Sequence, residues 1–190
     1  QFPDLPQGRI AIFVGSHNTF TSDLTDAIDN FCAAHNAVVF CDNTSGYYGS
    51  FRVNFALLGS QENKSYPSIN ALDLCIHMGE VSAEYASLGK LLRKEVWRVS
   101  LDGEIRDQFQ KLTALFCMNE TDFFRYYTPE KVEERRTYLD LCLEEDRKLR
   151  AKLPEIPFSN VWIAGQLHDK IPNGSAIHFG VLNSIRSWNM

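Results

Sequence analysis

Arg-Ile-Ala-Ile-Phe-Val-Gly, at residues 9–15, is the stretch that decides the fold. An uninterrupted apolar run of this length, rich in β-branched and aromatic side chains, is typical of a strand that is buried on both faces. Helix-capping residue types follow at 16–22, and apolar side chains then recur at helical spacing, at Leu24, Ala27, Ile28, Phe31 and Cys32. A second apolar run at 37–41 completes a strand–helix–strand unit, which predicts a parallel sheet with a right-handed crossover.

The same alternation continues towards the C-terminus. Further strands are predicted at 72–78, 95–100 and 113–118, and further helices at 51–58, 82–93 and 119–127. This order predicts an α/β fold with an open, mostly parallel, Rossmann-like sheet and helices on both faces, a three-layer αβα arrangement.

Residues 130–152 form a different segment, in which several acidic residues have a basic residue four positions away, as at Glu144 and Lys148. This pattern predicts a solvated helix with one packed apolar face, and a partner-binding helix is the alternative. After two prolines, a helix is predicted at 158–171 and an apolar strand at 176–180. Because no helix follows to cover that strand, we expect it to begin a second sheet.

The chain is therefore expected to divide into two parts. Residues 1–152 are predicted to form a complete central domain, and residues 153–190 a linker with the first elements of a truncated neighbouring domain. The first residues, Gln-Phe-Pro-Asp-Leu-Pro, show neither an initiator Met nor the layout of a signal peptide. A start of this kind favours a chain cut from a longer protein.

The composition is that of an ordinary globular protein and argues against several classes. With a net charge of −5, a pI near 5.5 and no basic block, the chain does not resemble a nucleic-acid-binding protein. No apolar run reaches the roughly 20 residues that a membrane-spanning helix needs, so a membrane is not an expected partner either. The five cysteines are irregularly spaced without a C-x-x-C pair, which predicts buried free thiols and a cytoplasmic location.

Common catalytic and cofactor motifs are missing from the sequence. Gly15-Ser16-His17 stands where a dinucleotide fingerprint would place G-x-G-x-x-G, and no P-loop, H-E-x-x-H or EF-hand loop occurs. The five histidines show no metal-ligand spacing. His77 and His178 lie within strand-like runs, which favours core residues over ligands.

Three residues are candidates for a ligand-binding edge, because ligands of open α/β sheets bind at the carboxyl ends of the strands. His17 follows the first strand, and Asp42 and Ser45 follow the second. The alternatives are that His17 caps a helix or faces solvent, and that Asp42 and Ser45 hold a tight turn in which Gly46 supplies a positive φ.

The order of segments resembles the central domain of thiamine-diphosphate-dependent enzymes. The matching pieces are residues 9–15, 38–46, 72–80 and 171–180. The run from 171 to 186 is similar to the branch of menaquinone-pathway 2-succinyl-5-enolpyruvyl-6-hydroxy-3-cyclohexene-1-carboxylate synthases, at the entry to their C-terminal domain. The resemblance therefore points to that branch within a larger superfamily.

This resemblance implies a parent protein of three domains that forms a homodimer or homotetramer. The first domain supplies the glutamate that activates thiamine diphosphate, the last binds the diphosphate through Mg²⁺, and the middle one is a Rossmann-like spacer. The glutamate-bearing segment and the Gly-Asp-Gly motif are absent from this sequence. The chain is thus expected to bind neither cofactor alone and to be inert without the N- and C-terminal domains. The implied activity of the parent is decarboxylation of a 2-oxoglutarate-type acid, followed by transfer of the carbanion to an acceptor.

The same resemblance implies a substrate-carboxylate contact for Arg186, with Asn183 and Ser184 as accompanying residues. A planar guanidinium suits a carboxylate because it can donate two parallel hydrogen bonds. The asparagine–serine pair lies closer to the arginine here than in the family, which leaves the identity of the 2-oxo acid open. An exposed charge beside Trp188 is the alternative for Arg186.

Two further functions remain open. One is a relative of acetolactate synthases and decarboxylases whose central domain binds a flavin or a regulatory nucleotide. The other is a non-enzymatic Rossmann-like module that binds a small ligand or a partner protein. In every case we expect an apolar surface around Trp162, Ile163, Phe179 and Trp188 that seeks a partner.

Overall fold

A computed structural model describes residues 2–61, 67–80, 92–180 and 182–190. Its strands are β1 (Ile10–Val14), β2 (Val38–Cys41), β3 (Arg52–Asn54), β4 (Ala71–Met78), β5 (Leu92–Ser100) and β6 (Leu112–Cys117). They form one six-stranded sheet in the order β3-β2-β1-β4-β5-β6, in which every neighbouring pair is parallel. The predicted open α/β, Rossmann-like fold is confirmed.

Helices cover both faces of this sheet. In the described part of the chain they are α1 (Ser22–His35), α2 (Ala56–Gly59), α3 (Pro67–Asn70), α4 (Glu120–Tyr127), α5 (Thr137–Arg150), α6 (Asn160–Leu167) and α7 (Asn183–Trp188). On one face α1 and α4 contact each other through Phe31 and Phe124, whose ring centroids are 5.3 Å apart. On the other face Tyr138 of α5 packs against Phe40 of β2. The result is the predicted three-layer arrangement.

The middle of the sheet explains why the first apolar run is uninterrupted. All five residues of β1 are buried, because β1 pairs with β2 on one side and β4 on the other while helices cover both faces. The following helix begins where its capping residue predicts, since the Thr21 hydroxyl accepts a hydrogen bond from the Leu24 N–H at 3.2 Å. It ends at Asn36, which adopts a left-handed φ of 50°.

The prediction of a helix at 51–58 is wrong over its first half. Residues Arg52–Asn54 form the edge strand β3, which pairs only with β2, and the short helix α2 follows it. In β3 only the side chain of Val53 is buried, between two half-buried neighbours. A three-residue strand is too short for its alternating burial to be distinguished from a helical pattern.

The charged segment and the C-terminus also differ from expectation. The helix predicted for 130–152 begins only at Thr137, while the preceding residues run along α1, where the Arg135 N–H donates to the Ala33 carbonyl at 2.9 Å. Residues 176–180 form no strand, and His178 is exposed there, so the expected first strand of a second sheet is absent. Most of the helix predicted at 82–93 lies outside the described residues, and its last two positions belong to β5.

The cysteine prediction is confirmed for four of the five residues. Cys32, Cys41, Cys75 and Cys142 are buried free thiols, and Cys117 is a free thiol at the surface. Among the described residues no helix combines the length and apolar character needed to cross a membrane.

Candidate functional site at the carboxyl edge of the sheet

The strand order places a topological switch point between β1 and β4, the position at which ligands enter this type of sheet. The loops that leave the carboxyl ends of the strands form one surface, which we call the carboxyl edge. It contains the candidates His17 after β1 and Asp42 and Ser45 after β2, together with Glu80 after β4 and Asp102 after β5.

Backbone hydrogen bonds join the loops that follow β1 and β4 at this switch point. The Gly15 N–H donates to the Met78 carbonyl at 3.0 Å, and the Glu80 N–H donates to the Ser16 carbonyl at 2.7 Å. The approach is so close that a Cβ atom at Gly15 would overlap the Glu80 carbonyl, and Gly79 adopts a left-handed φ of 73°. The N–H groups of Gly15 and Glu80 are thereby used within the chain, in agreement with the missing dinucleotide fingerprint.

His17 forms an ion pair that joins the loop after β1 to the start of α4. Its Nε2 lies 2.9 Å from a carboxylate oxygen of Glu120, and its Nδ1 lies 2.8 Å from the Asn18 carbonyl oxygen. Both partners only accept hydrogen bonds, so this geometry favours a proton on each ring nitrogen. Burial of the ring opposes the charge, but Glu120 and the Asn18 carbonyl outweigh it and raise the pKa of His17. His17 is not the helix cap, a position that Thr21 takes.

Asp42 and Ser45 build the turn after β2. Asp42 accepts a hydrogen bond from the Thr44 N–H at 2.7 Å, and the Ser45 hydroxyl donates to the Asp42 carbonyl at 2.9 Å. The same hydroxyl accepts from the Tyr47 N–H at 3.2 Å, and Gly46 has a φ of 71°. Both side chains are buried. These contacts support the turn interpretation of the two residues.

The candidates Asn183, Ser184 and Arg186 lie on α7 and are exposed. The end of this helix docks on the carboxyl edge beside Asp42, where the Asn43 N–H donates to Asn189 Oδ1 at 3.0 Å and the Asn43 amide donates to the Trp188 carbonyl at 2.6 Å. The structure therefore brings α7 to the turn after β2, while the contacts are made by residues other than the three candidates.

Among the cavities lined by described residues, two are large. One of about 840 Å³ lies between the turn after β2 and the C-terminal segment, and its lining includes Asn43, Arg150, Phe179 and Trp188. The other, of about 730 Å³, lies at the opposite edge, near the amino ends of β4 and β5. Its lining is rich in basic side chains, from Arg9, Arg93, Lys94 and Lys111.

A buried arginine at the carboxyl edge was not anticipated from the sequence. Arg98 lies two residues before the end of β5, and 1% of its surface is exposed. One guanidinium nitrogen, Nη1, donates to the Gly79 carbonyl at 3.0 Å and lies 3.3 Å from Nδ1 of His77, its neighbour on β4. Since a guanidinium only donates, Nδ1 of His77 must accept, which leaves a neutral ring with its proton on Nε2. Burial and then the positive charge of Arg98 lower the pKa of His77 to about 3, which agrees with a neutral ring.

Charged loops surround this arginine. Nη2 of Arg98 lies 3.8 Å from a carboxylate oxygen of Glu80, which also pairs with Arg106. Arg106 pairs in addition with Asp102 at 3.2 Å and with Glu104 at 2.7 Å. We call His77, Glu80, Arg98 and Arg106 the arginine cluster. The sequence indicates this cluster only through the single charged residue in the strand run Val-Trp-Arg-Val at 96–99. The partners of Arg98 come from other strands and loops, so no local pattern predicts them.

In the described ranges no group of three or more His, Cys, Asp and Glu side chains could hold a metal ion.

No protein-family model matches the chain, and no curated protein matches it.

Proposed function

We propose that this chain is the central domain of a thiamine-diphosphate-dependent enzyme that decarboxylates a 2-oxo acid and transfers the resulting carbanion to an acceptor. The type of enzyme is that of the menaquinone-pathway synthase. The observation that carries the proposal is the parallel sheet in the order β3-β2-β1-β4-β5-β6, in which backbone hydrogen bonds join the loops after β1 and β4. This is the architecture expected of a Rossmann-like spacer that has no dinucleotide site.

In this proposal the chain holds the two cofactor-binding domains of the parent protein in place. Thiamine diphosphate and Mg²⁺ bind in those domains, and when bound they supply the carbanion chemistry. The candidate residues at the carboxyl edge contact other groups of the chain, which supports a structural role for them. His17 pairs with Glu120, while Asp42 and Ser45 hold a turn. A reducing compartment such as the cytoplasm suits the five free thiols.

Arg186 is the residue of this chain that we propose to contact the substrate. It projects from α7, which is held against the carboxyl edge through Asn43 and Asn189, and its own side chain is exposed. A guanidinium on an anchored helix has a defined position while its donors stay available to a carboxylate. Asn183 and Ser184 lie on the first turn of the same helix and are exposed as well.

The proposal is tested with the complete protein that contains this chain. We expect release of CO₂ from 2-oxoglutarate or a related 2-oxo acid that depends on both thiamine diphosphate and Mg²⁺, with none from the 190-residue chain alone. Arg186→Gln should lower kcat/KM about 10- to 100-fold, the usual effect of losing hydrogen bonds to a charged group. Arg147→Gln, at an exposed position of α5, is the matched control and should leave kcat/KM unchanged.

Two results would contradict the proposal. One is the absence of thiamine-diphosphate-dependent CO₂ release with every 2-oxo acid tested. The other is equal loss of activity in the Arg186 and Arg147 variants, which would show a general effect of removing surface charge. A yellow purified protein with a flavin absorbance spectrum would instead favour the acetolactate-synthase-like relative.

A further inference from the structure

The structure holds a positive charge in its interior that its neighbours compensate incompletely. Arg98 is 1% exposed, and removing a guanidinium from water is costly unless opposite charge replaces the lost hydration. Among the described residues, Arg98 donates to the carbonyl of Gly79 and to the neutral ring of His77, and neither is an anion. The Glu80 carboxylate stays 3.8 Å from Nη2, beyond hydrogen-bonding distance.

Two buried donors in the arginine cluster lack an acceptor. Within the described residues, Nε of Arg98 and Nε2 of His77 are buried and have no hydrogen-bond partner. Both carry a proton, Nε of Arg98 always and Nε2 of His77 because Nδ1 accepts from Arg98. What the cluster lacks is therefore an acceptor. Buried polar groups in native proteins are nearly always satisfied, so two such donors together point to a missing group.

The geometry of the guanidinium specifies what kind of acceptor fits. Nε–H and the adjacent Nη2–H of an arginine form one edge, whose spacing matches two oxygens of a carboxylate or a phosphate. In Arg98 Nε has no partner among the described residues, and Nη2 has Glu80 at 3.8 Å. This edge of Arg98 is suited to a second, closer oxyanion.

Glu80 is placed to act as a displaceable occupant. Its side chain is 54% exposed above the buried Arg98, and it follows Gly79 at the carboxyl end of β4, where ligands bind in this type of sheet. If Glu80 swings towards solvent, Arg106 keeps Asp102 and Glu104 as partners. An incoming anion would then meet Arg98 and Arg106 together.

We propose that the arginine cluster binds a small oxyanion, the carboxylate or phosphate group of a metabolite, and that Glu80 occupies the site in its absence. The ligand group accepts hydrogen bonds from Nε and Nη2 of Arg98 and displaces the Glu80 carboxylate. The proposal goes beyond the spacer role, and it does not depend on whether the parent enzyme uses thiamine diphosphate.

The test titrates inorganic phosphate and, separately, succinate into the 190-residue chain at constant ionic strength, by calorimetry. The two arms distinguish a phosphate ligand from a carboxylate ligand. Glu80→Gln removes the competing carboxylate, so it should bind one of the two anions about threefold or more tightly than the unmodified chain. Glu155→Gln is the matched control, because it removes the same charge at an exposed position outside the arginine cluster, and it should bind the anion like the unmodified chain.

A second readout follows the buried arginine directly. The Nε–H resonance of Arg98 in ¹⁵N-arginine-labelled protein should move downfield on saturation with the anion, as expected when a free donor gains an acceptor. Arg98→Lys identifies this resonance by its loss and, if it folds, should weaken binding about tenfold or more. Arg98→Lys changes a buried residue and so also tests folding, and the comparison of Glu80→Gln with Glu155→Gln is therefore the deciding one.

The proposal is overturned if neither anion binds saturably to the unmodified chain or to Glu80→Gln. It is also overturned if Glu80→Gln and Glu155→Gln bind alike, or if the Nε–H resonance of Arg98 stays in place at saturation. Loss of binding in Lys111→Gln with no effect of Glu80→Gln would assign the anion to the basic cavity at the opposite edge.

Discussion

Two histidines at the carboxyl edge are held in opposite protonation states by their hydrogen-bond partners. His17 faces a carboxylate and a carbonyl, both acceptors, which favours the doubly protonated, charged ring. His77 accepts a hydrogen bond from Arg98 and lies stacked on Phe13, so it is neutral. Their contributions to the free energy of unfolding therefore change with pH in opposite directions. The pKa of His17 is raised in the folded protein, so the charged ring stabilises the fold fully at pH values below the ordinary histidine pKa. This stabilisation is lost as the pH rises through the pKa that His17 has in the folded state.

Acidification should destabilise the protein through His77. The pKa of His77 is about 3 in the folded state, well below the ordinary value of 6.5. Between these two pH values His77 is protonated in the unfolded chain but not in the folded chain. The free energy of unfolding should fall by up to about 1.4 kcal/mol per pH unit as pH decreases from 6.5 towards 3. Urea denaturation at pH 7, 6 and 5 measures this slope.

The variant His77→Gln isolates that effect, because an amide keeps an acceptor for Arg98 but does not titrate. It should show a shallower dependence of the unfolding free energy on pH than the unmodified protein. His178→Gln, at an exposed position, should retain the original slope. Identical slopes in the unmodified protein and His77→Gln would show that His77 does not carry the pH dependence.

Local residue types offered the turn after β2 as one of two interpretations of Asp42 and Ser45, whose contacts here lie within a few positions along the chain, and Gly46 has the positive φ of that turn. The His17–Glu120 pair was beyond such reasoning because its two residues are 103 positions apart. The arginine cluster likewise draws Glu80 and Arg98 from different loops and strands.

At the scale of elements, hydrogen bonds between helices and their neighbours hold the outer layers in place. Tyr138 of α5 is buried, and its hydroxyl donates to the Ile69 carbonyl of α3 at 2.5 Å. Its ring also packs on Phe40, and the Arg9 guanidinium lies 5.0 Å from the ring centroid. One side chain thus ties α5 to both α3 and the sheet.

Tyr138→Phe should remove the hydrogen bond to Ile69 while it keeps the ring packing. The carbonyl left without its donor is buried, so we expect the free energy of unfolding to fall by about 1–3 kcal/mol. Tyr126→Phe, on the exposed side of α4, should change it by less than about 0.5 kcal/mol. Urea denaturation of both variants makes the comparison, and equal stabilities would mean that the Tyr138 hydroxyl contributes nothing.

Strands in the middle of the sheet were predictable because burial on both faces imposes an uninterrupted apolar run, as in β1 and β2. The edge strand β3 was missed because it has three residues and pairs on one side only. The apolar run at 176–180 was assigned to a strand, yet a run of that length forms one only where a neighbouring strand satisfies its backbone hydrogen bonds.

At the scale of the whole molecule, the C-terminal part leaves large apolar side chains in contact with solvent. Phe158 is 81% exposed and Trp162 is 39% exposed, and their rings contact each other with centroids 5.6 Å apart. Phe179 and Trp188 form a second aromatic pair, and both residues are half-buried. Exposed aromatic clusters of this kind mark surfaces that other protein surfaces cover.

The 190-residue chain should therefore associate with itself in a concentration-dependent manner. Sedimentation velocity should show an average mass that rises with concentration, and Trp162→Glu should shift the chain towards the monomer because it places a charge in the apolar cluster. Lys170→Glu changes the charge of the same segment outside the cluster and is the control. A sample that stays monomeric at all concentrations would contradict this expectation.

The most direct test of the proposed function is a titration of thiamine diphosphate, with and without Mg²⁺, into the complete protein that contains this chain. Binding requires no knowledge of the 2-oxo acid, whose identity the altered spacing before Arg186 leaves open. We predict saturable binding to the complete protein that is lost when Mg²⁺ is removed, and no binding to the 190-residue chain. A complete protein that does not bind thiamine diphosphate in the presence of Mg²⁺ would contradict the proposal.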